Sequence, residues 1–265
     1  MERLISFDSR EEAFNSLAQR ISELIIKAQE SKGIAKVLLS GGGTPMPVYE
    51  KLSDSSLDFS MIEFGLVDDR FVPVQDPASN EGVIRNIFKN QPDFSLEPMV
   101  QNPQDYAHSI AQCHQTYLKF IQGDVILLGM GGDGHFASLF PNDEPSTEGL
   151  LATECGCLGT NAPSHPTKRI STNLAFIESI EHRILLITGK DKLEKLKASP
   201  AEKTPISLIP IGEVKGIHTN NLHYPLKEDT LTMGYRTGSS NFVTKDGIVV
   251  IEHETGDLLL MECFD

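Results

Sequence analysis

Two spacings of apolar residues alternate along most of this chain. A recurrence every three or four residues predicts an amphipathic helix over residues 9–30, whose apolar face is formed by Phe14, Leu17, Ile21, Leu24 and Ile25. Similar patterns predict further helices over residues 45–52, 81–89, 106–120 and 190–198. Between the helices, short continuous apolar runs predict strands over residues 35–39, 62–67, 124–128 and 183–188.

Strands that alternate with helices favour an α/β fold with a mainly parallel, Rossmann-like sheet that is covered by helices on both faces. In an open sheet of this kind, ligands bind in the crevice at the carboxyl ends of the strands. We therefore expect the functional residues of this chain in the segments that directly follow the predicted strands.

The pattern changes near residue 204, where the helical periodicity ends. Residues 241–261 instead form short apolar runs that predict three strands, with Asp-Gly and Gly-Asp turn signals at residues 246–247 and 256–257. On this basis we predict two domains, an α/β domain over residues 1–205 and a small all-β domain over residues 206–265.

A glycine-rich segment, Ser-Gly-Gly-Gly-Thr-Pro, follows the first predicted strand at residues 40–45. Gly41, Gly42 and Gly43 permit a sharp turn and a close approach of the backbone to a ligand. Thr44 is predicted to cap the next helix, and the free N–H groups of a helix N-terminus attract phosphate. A tight connection without a ligand is the alternative, and the segment matches neither a P-loop nor a dinucleotide-binding fingerprint.

Charged residues stand near the ends of other predicted strands. Residues 68–70, Asp-Asp-Arg, follow the second strand, and Arg70 is a candidate for a charge-assisted contact to phosphate. Asn80, at the predicted start of a helix, is a further candidate for ligand contact. Two basic segments, at residues 168–171 and 189–192, would complete an anion site. Taken singly, each segment is also consistent with solvated surface charge.

The segment Gly-Met-Gly-Gly-Asp-Gly-His-Phe-Ala-Ser-Leu-Phe-Pro occupies residues 129–141, directly after a predicted strand. It holds His135 in a glycine-rich turn, and a single histidine presented in this way suits general-base catalysis on a small substrate. Asp133, two residues earlier, can hold the imidazole in its useful tautomer. A histidine with a purely structural role in the turn is the alternative. This segment makes an enzyme the leading hypothesis.

The chain has 265 residues and a formal net charge of −14. Such a negative field repels nucleic acid and anionic membrane surfaces, so we expect neither as a partner. The sequence shows no apolar run long enough for a membrane span and no signal peptide at its start. The four cysteines form no disulfide framework and are expected to be reduced, and a cytoplasmic location fits these features.

Residue spacing argues against two kinds of catalytic site. The Gly-x-Ser-x-Gly nucleophile elbow and the metal-binding His-Glu-x-x-His pattern are both absent from the sequence. Cys155 and Cys157 lack a second pair of ligands at metal-binding spacing, so we predict no metal site. A hydrolytic reaction in this chain would therefore use directly activated water, and no cofactor is expected.

Taken together and in this order, the segments resemble the 6-phosphogluconolactonase family. The resemblance covers roughly residues 1–205 and rests on Ser-Gly-Gly-Gly-Thr-Pro, the strand-end Asp-Asp-Arg-Phe-Val-Pro, Ser-Asn-Glu-Gly-Val-Ile-Arg-Asn-Ile-Phe, the His135 segment, Lys-Arg-Ile-Ser and Gly-Lys-Asp-Lys. It implies hydrolysis of 6-phospho-D-glucono-1,5-lactone to 6-phosphogluconate, in the oxidative pentose phosphate pathway. The family usually has a glutamate where this chain has Asp69, whose side chain is shorter by a methylene group.

The resemblance also implies a role for each candidate residue. His135 takes a proton from the attacking water, Asp133 orients His135, and backbone N–H groups of the glycine turn stabilise the oxyanion. The 6-phosphate is expected to bind to Gly41, Gly42, Gly43, Thr44, Arg70, Arg169 and Lys192. The other expected substrate-binding residues are Asp68, Asn80 and Gly131.

Two other kinds of function stay open. Glucosamine-6-phosphate deaminases and ribose-5-phosphate isomerases share the fold of this family, so a deaminase or a sugar-phosphate isomerase is one alternative. The deaminases end the histidine segment with Ala-Phe-Asn-Glu-Pro and carry Asp-Glu-Tyr at the strand end, whereas this chain has Ala-Ser-Leu-Phe-Pro and Asp-Asp-Arg. Both differences favour the lactonase. A non-catalytic protein that binds a phosphosugar or thiamin is the other alternative.

The final segment is similar to the C-terminal thiamin-binding β-domain of thiamin pyrophosphokinases. The similarity rests on Ser-Leu-Ile-Pro at residues 207–210, Leu-His-Tyr-Pro-Leu at residues 222–226 and Ser-Ser-Asn at residues 239–241. The nucleotide-binding domain of those kinases has no counterpart in this sequence, so we predict no kinase activity. The resemblance implies a homodimer formed through this segment or a thiamin-like ligand, and a β appendage that serves only packing is the alternative.

Overall fold

A computed structural model of the chain describes residues 5, 7–189, 192, 205–220, 222, 225–232, 241–242, 250–252 and 255–262. The chain divides into two compact units, Ser6–Ile187 and a second unit made of Met1–Ile5 and Thr188–Asp265. The domain boundary expected at residue 205 stays a prediction. The helix predicted over residues 190–198 lies outside the described residues, apart from Lys192.

Every helix and strand that the sequence pattern predicts before residue 187 is present, with ends that differ by at most a few residues. The helices of this unit are α1 (Arg10–Lys32), α2 (Met46–Ser53), α3 (Asn80–Ile87), α4 (Tyr106–Tyr117), α5 (Glu144–Leu151) and α6 (Leu174–Ser179). The strands are β1 (Ala35–Leu39), β2 (Ile62–Leu66), β3 (Asp68–Arg70), β4 (Val125–Gly129), β5 (Cys157–Asn161), β6 (Lys168–Thr172) and β7 (His182–Leu186).

A parallel sheet in the order β2-β1-β4-β7 forms the centre of the first unit. β1 and β4 are its inner strands, and Val37 of β1 pairs with Val125 of β4. Continuous apolar runs suit the inner strands of a parallel sheet, because both faces of the sheet are covered by helices. The α/β class with a mainly parallel sheet is therefore confirmed.

Helix α1 shows how the apolar pattern becomes packing. The Ser9 hydroxyl accepts a hydrogen bond from a backbone N–H of the first turn at 3.1 Å, and Gly33, with a φ of 85°, ends the helix. Ile21, Leu24 and Ile25 are at most 5% exposed. Since burying such a side chain contributes about 1.5–3 kcal/mol, the predicted apolar face is what holds α1 against the sheet.

The sequence pattern does not predict the second sheet of this unit, which is antiparallel with the order β3-β6-β5. Its strands are short and polar, and β3 consists of Asp-Asp-Arg alone. Charged residues after an apolar strand ordinarily indicate a solvated loop, yet Asp68 and Asp69 are buried. Buried carboxylates need hydrogen-bond partners to be tolerated, and both residues have such partners in the site described below.

The second unit is built around one long strand. β8 (Pro205–Asn220) pairs in antiparallel fashion with β9 (Asp229–Thr232), β10 (Asn241–Phe242), β11 (Val250–Glu252) and β12 (Thr255–Glu262). Its buried apolar side chains include Leu208, Val214, Ile217, Leu222, Leu226 and Leu231. The prediction of a small C-terminal all-β segment is thus confirmed.

Two details of the second unit bear on the sequence predictions. The turn predicted at residues 256–257 is wrong, because both residues lie inside β12, where the pairing with β8 shifts its register. The turn predicted at residues 246–247 lies outside the described residues, as do Ser239 and Ser240, whereas Asn241 begins β10. Within the described part of the chain, no helix is both long and apolar enough to span a membrane.

Candidate active site

The glycine turn after β4 presents an aspartate–histidine pair. The backbone N–H of Gly131 donates to the carbonyl of His135 at 2.7 Å and closes the turn, in which Gly134 has a φ of 94°. Nδ1 of His135 lies 2.5 Å from Oδ1 of Asp133. This contact occupies Nδ1 and directs the proton-accepting role to Nε2 when the imidazole is neutral.

The electrostatics of the pair favour an ionised aspartate. Partial burial would raise the pKa of Asp133, but the hydrogen bond and the positive charge of His135 outweigh this effect, so the pKa lies below its usual value. An ionised Asp133 accepts a hydrogen bond from Nδ1–H and so fixes the tautomer of the imidazole. The side chains of His135 and Asp133 remain 29% and 40% exposed, so a small substrate and water can reach them.

The turn has no room for a side chain at Gly131. A Cβ atom at this position would lie 2.2 Å from Cε1 and Nδ1 of His135 and 2.6 Å from Oδ1 of Asp133. Real Cβ atoms do not approach other heavy atoms so closely. The absence of a side chain at Gly131 therefore creates the room in which the aspartate–histidine pair sits, a role that the sequence did not reveal.

Two arginines face each other beside this turn. Arg70 of β3 and Arg169 of β6 are directly paired across the antiparallel strands. Arg169 is only 7% exposed, and within the described part of the chain the Nε atoms of both arginines are buried without a hydrogen-bond partner. Buried polar groups without partners are rare in folded proteins, so this pair of guanidinium groups is suited to an anion.

The surroundings of Arg169 affect the charge of its guanidinium group in two opposite directions. Burial, followed by the neighbouring Arg70 charge, lowers the pKa of the Arg169 guanidinium, while the Asp68 and Asp69 carboxylates act in the opposite direction. Arg70 itself is oriented by a hydrogen bond of 2.6 Å from Nη1 to the carbonyl of Ala78. An anion placed between the two guanidinium groups would relieve their mutual repulsion and satisfy their free donors.

An aromatic ring connects the histidine to the arginines. The ring centroid of Phe140 lies 4.5 Å from that of His135, and the Arg169 guanidinium carbon lies 6.0 Å from the same centroid. His135 comes from the glycine turn after β4, whereas Arg169 comes from the second sheet. The Phe140 ring therefore brings the candidate base and the candidate anion site into one cluster of side chains.

Asp69 joins β3 to the beginning of α3. Its carboxylate accepts hydrogen bonds from the backbone N–H groups of Asn80 at 2.7 Å, Glu81 at 3.1 Å and Arg70 at 2.7 Å. Burial raises the pKa of Asp69 to about 6, against the lowering effect of these three hydrogen bonds. Asp69 thus anchors the helix rather than facing the candidate anion site.

Asn80 and the first glycine loop are packed against each other. Nδ2 of Asn80 donates to the carbonyl of Asp68 at 2.9 Å. A Cβ atom on Gly41 would lie 1.9 Å from Oδ1 of Asn80, and Gly42 has a φ of 87°. The expectation that Thr44 caps the following helix is wrong, because α2 begins at Met46 after Pro45 at the cap position, without a capping side-chain hydrogen bond.

Asp68 holds the segment that follows His135. Its Oδ2 accepts a hydrogen bond of 2.5 Å from the Ser138 hydroxyl, and the Ser138 backbone N–H donates to the Ser171 hydroxyl at 3.1 Å. The roles of Ser138 and Phe140 could not be predicted from the sequence, although both residues lie in the segment that contains His135. Serine and phenylalanine are common in loops and cores, so residue type alone does not mark them.

The first unit thus brings most of the predicted site residues together. Gly41 lies against Asn80, Asn80 is hydrogen-bonded to Asp68 of β3, and the Phe140 ring lies near both His135 and Arg169. Lys192 belongs to the second unit, where it is half-buried, and its predicted role stays a prediction. Among the described residues, no group of three or more His, Cys, Asp and Glu side chains is arranged to hold a metal ion.

Comparison with known proteins finds relatives whose similarity covers the first unit and extends into the second. Residues 8–222 match the family described as glucosamine-6-phosphate isomerases/6-phosphogluconolactonase. A 6-phosphogluconolactonase of Xylella fastidiosa is 32% identical over 205 residues, which cover 74% of this chain and 84% of that protein. A 6-phosphogluconolactonase of Pseudomonas putida is 34% identical over 189 residues, which cover 70% of this chain and 78% of the relative.

Solved structures agree with these relatives in fold. The crystal structure of a 6-phosphogluconolactonase from Shewanella baltica superimposes with a TM-score of 0.67 at 27% identity, and the alignment covers 71% of this chain and 82% of that chain. The C-terminal part has a separate match, since residues 194–257 match the vitamin B1 binding domain of thiamin pyrophosphokinase.

Proposed function

This chain belongs to the glucosamine-6-phosphate isomerase/6-phosphogluconolactonase family, and from this premise we propose that it hydrolyses 6-phospho-D-glucono-1,5-lactone to 6-phosphogluconate. The relatives that it resembles over most of their length are named 6-phosphogluconolactonases. The reaction is the lactone hydrolysis of the oxidative pentose phosphate pathway. The observation that carries the mechanism is the Asp133–His135 pair beside two arginines with unsatisfied donors.

In this mechanism His135 is the general base. The ionised Asp133 accepts a hydrogen bond from Nδ1–H, so Nε2 is free to take a proton from a water molecule as its oxygen attacks the lactone carbonyl. The N–H groups of Gly131 and Gly134 donate to carbonyls within the turn, so we assign the developing oxyanion to the backbone N–H of Gly132. The ring ester then opens, and the proton held by His135 passes to the leaving alkoxide.

The 6-phosphate would bind between Arg70 and Arg169. Hydrogen bonds between a guanidinium group and phosphate are charge-assisted and directional, so the two residues would fix the orientation of the sugar. Gly41 lies against Asn80, and the loop at residues 41–44 would contribute backbone N–H groups. The role of Lys192 as a phosphate ligand is implied by the resemblance alone. Anchoring a remote phosphate lets its binding energy act on the reacting ester.

The test is lactone hydrolysis measured above the spontaneous rate. The lactone is generated freshly from glucose 6-phosphate with a dehydrogenase, and wild type, His135→Ala and His108→Ala are compared. Loss of the base should lower kcat by about 10²- to 10⁴-fold, whereas His108 is exposed on α4 and its variant should match wild type. Near-normal turnover by His135→Ala would remove His135 from the mechanism.

The same preparation distinguishes the alternative reactions. A folded wild type that does not accelerate lactone hydrolysis but releases ammonia from glucosamine 6-phosphate would be a deaminase. Saturable binding of a phosphosugar without turnover of either compound would indicate a binding protein. Acceleration of lactone hydrolysis that depends on His135 would support the lactonase over both.

For the second unit we propose a thiamin-like ligand, for which the match to a vitamin B1 binding domain is the support, or a role in dimer formation, which only the resemblance to thiamin pyrophosphokinases implies. Sedimentation of the full chain would test the dimer, and calorimetric titration with thiamin would test the ligand. A monomer that takes up no thiamin would leave packing as the role of this unit. A cytoplasmic setting, which suits a pathway of soluble sugar phosphates, is part of the same proposal.

A further inference from the structure

Phe140 is a buried aromatic residue with unusual neighbours. It is 6% exposed, yet it is not part of the hydrophobic core cluster formed by the described residues of the first unit. Its ring lies against two polar side chains, the imidazole of His135 at 4.5 Å and the guanidinium of Arg169 at 6.0 Å.

The backbone of Phe140 is held firmly. Its N–H donates to the Ser146 hydroxyl at 2.9 Å, and that hydroxyl in turn donates to Oδ2 of Asp143 at 2.6 Å. Asp143 caps α5 and also accepts a hydrogen bond from the Asn161 side chain of β5 at 3.1 Å. These hydrogen bonds therefore fix the backbone that carries the Phe140 ring to α5 and to the second sheet.

The hydrogen bonds of His135, by contrast, are made with residues of its own turn. The turn is rich in glycine, and Gly134 has a left-handed φ of 94°. The hydrogen bond to Asp133 comes from a partly exposed side chain of the same turn, only two residues away. Asp133 can set the tautomer of the imidazole, but a partner in the same turn moves with it and cannot fix its place relative to β6.

We propose that Phe140 is a positioning residue that fixes the His135 imidazole relative to the phosphate-binding guanidinium of Arg169. The proposal rests on the proposed function. An aromatic ring holds an imidazole at 4.5 Å through edge and face contacts, and an adjacent guanidinium interacts with the same ring. One rigid side chain thereby sets the distance between the base and the anchor of the substrate, on which the approach of the activated water depends.

The test compares Phe140→Leu with Phe120→Leu and Phe140→Tyr. Phe120 is a fully buried core residue of the same unit, so its variant measures the effect of an equal truncation away from the site. We expect Phe140→Leu to lower kcat by about tenfold to a hundredfold, because small misplacements of a catalytic group have effects of this size. KM should change much less, and Phe140→Tyr, which keeps the ring, should recover most of kcat.

A second readout does not depend on turnover. The ring current of Phe140 should shift the imidazole C–H resonances of His135, which are assigned by their absence in His135→Ala. These resonances should move in Phe140→Leu and stay in place in Phe120→Leu. If Phe140→Leu does not fold, Phe140→Met replaces it, since methionine fills the same space without a ring current.

The outcomes separate this proposal from the proposed function. Unchanged His135 resonances in Phe140→Leu or Phe140→Met, or equal losses of kcat in Phe140→Leu and Phe120→Leu without recovery in Phe140→Tyr, would overturn the positioning role. A wild type that hydrolyses no lactone would overturn the proposed function. In that case the resonances still test whether the Phe140 ring contacts the His135 imidazole, because they report that contact directly.

Discussion

At the scale of single residues, the site depends on what is absent as much as on what is present. The Asp133–His135 pair fits only because Gly131 has no side chain. A glycine of this kind is not explained by its backbone conformation, since no left-handed φ is recorded for Gly131. Its requirement comes from the two side chains that occupy the space in which a Cβ atom would lie.

Gly131→Ala should therefore displace the imidazole. We expect kcat to decrease by about tenfold to a hundredfold, with a small effect on stability, because the neighbours that must move are exposed side chains. Gly129→Ala is the matched control, since a Cβ atom at Gly129 meets nothing within 4 Å. Lactonase assays of the two variants decide the point, and equal activities would show that the space at Gly131 does not matter.

Arg169→Ala should mainly weaken substrate binding. A hydrogen bond to a charged group contributes about 1.5–3 kcal/mol, so we expect KM for the lactone to rise by about tenfold or more with kcat less affected. Arg20→Ala removes the same charge from an exposed position on α1 and should leave KM unchanged. An unchanged KM in Arg169→Ala would exclude Arg169 from the phosphate site.

At the scale of elements, the second sheet and α3 depend on one buried carboxylate. Asp69 accepts backbone hydrogen bonds from both sides of the junction between β3 and α3. The junction carries Arg70 on one side and Asn80 on the other, so the geometry of the site follows from it.

The pKa of Asp69 makes this junction sensitive to pH. The folded value of about 6 exceeds the ordinary 3.8, so the folded state binds the proton more tightly than the unfolded state. The contribution of Asp69 to stability is therefore greatest below pH 4 and decreases as pH rises to about 6, by up to about 3 kcal/mol. The difference in the free energy of unfolding between wild type and Asp69→Asn should show this decrease, because asparagine does not titrate.

Chemical denaturation at several pH values between about 4 and 7 measures this difference. Asp93→Asn removes an exposed carboxylate and serves as the control for the change of net charge. If the free energies of unfolding of wild type and Asp69→Asn stay parallel across this range, then burial does not shift the titration of Asp69. Asp69→Asn should also be less stable at every pH, because its amide cannot accept all three backbone hydrogen bonds.

How far the sequence predicts the structure also differs between elements. The parallel strands and their helices could be predicted because long apolar runs and helical spacing determine which faces are buried, as in β4 and α1. The second sheet could not, because β3 and β6 are polar and gain their stability from pairing and from partners such as Ser138 and Ser171. Those partners lie far apart in the sequence, and no local sequence pattern predicts their contacts.

The site shows the same division. His135 and Asp133 could be singled out because a histidine and an acid in a glycine turn suit general-base chemistry, whereas Arg169 was singled out from its basic segment only by the resemblance to the lactonase family. Phe140 and Ser138 could not, since their roles depend on distances between segments that only the fold brings together. The burial of Asp69 was equally hidden, because an acidic residue after a strand is usually solvated.

At the scale of the whole molecule, a net charge of −14 opposes the approach of an anionic substrate, while the paired arginines of the proposed phosphate site would attract it locally. Salt screens long-range repulsion between exposed charges more than it screens contacts with a buried group such as Arg169. We therefore expect kcat/KM for the lactone not to decrease as ionic strength rises from about 0.02 M to about 0.2 M. A steep decrease would mean that exposed basic residues provide most of the attraction, and a neutral lactone measured in parallel would control for effects of salt on the protein.

The direct pairing of Arg70 with Arg169 across β3 and β6 has a consequence for engineering. Each arginine stands directly opposite the other in the second sheet, so the effect of replacing one of them depends on which residue occupies the other position. Mutagenesis that aims at new substrates and changes only one of the two positions at a time would produce variants in which the remaining arginine stands opposite a residue that does not complement it. Libraries that randomise both positions together would avoid these intermediates and could retune the enzyme from phosphate to other anionic groups without altering the central sheet.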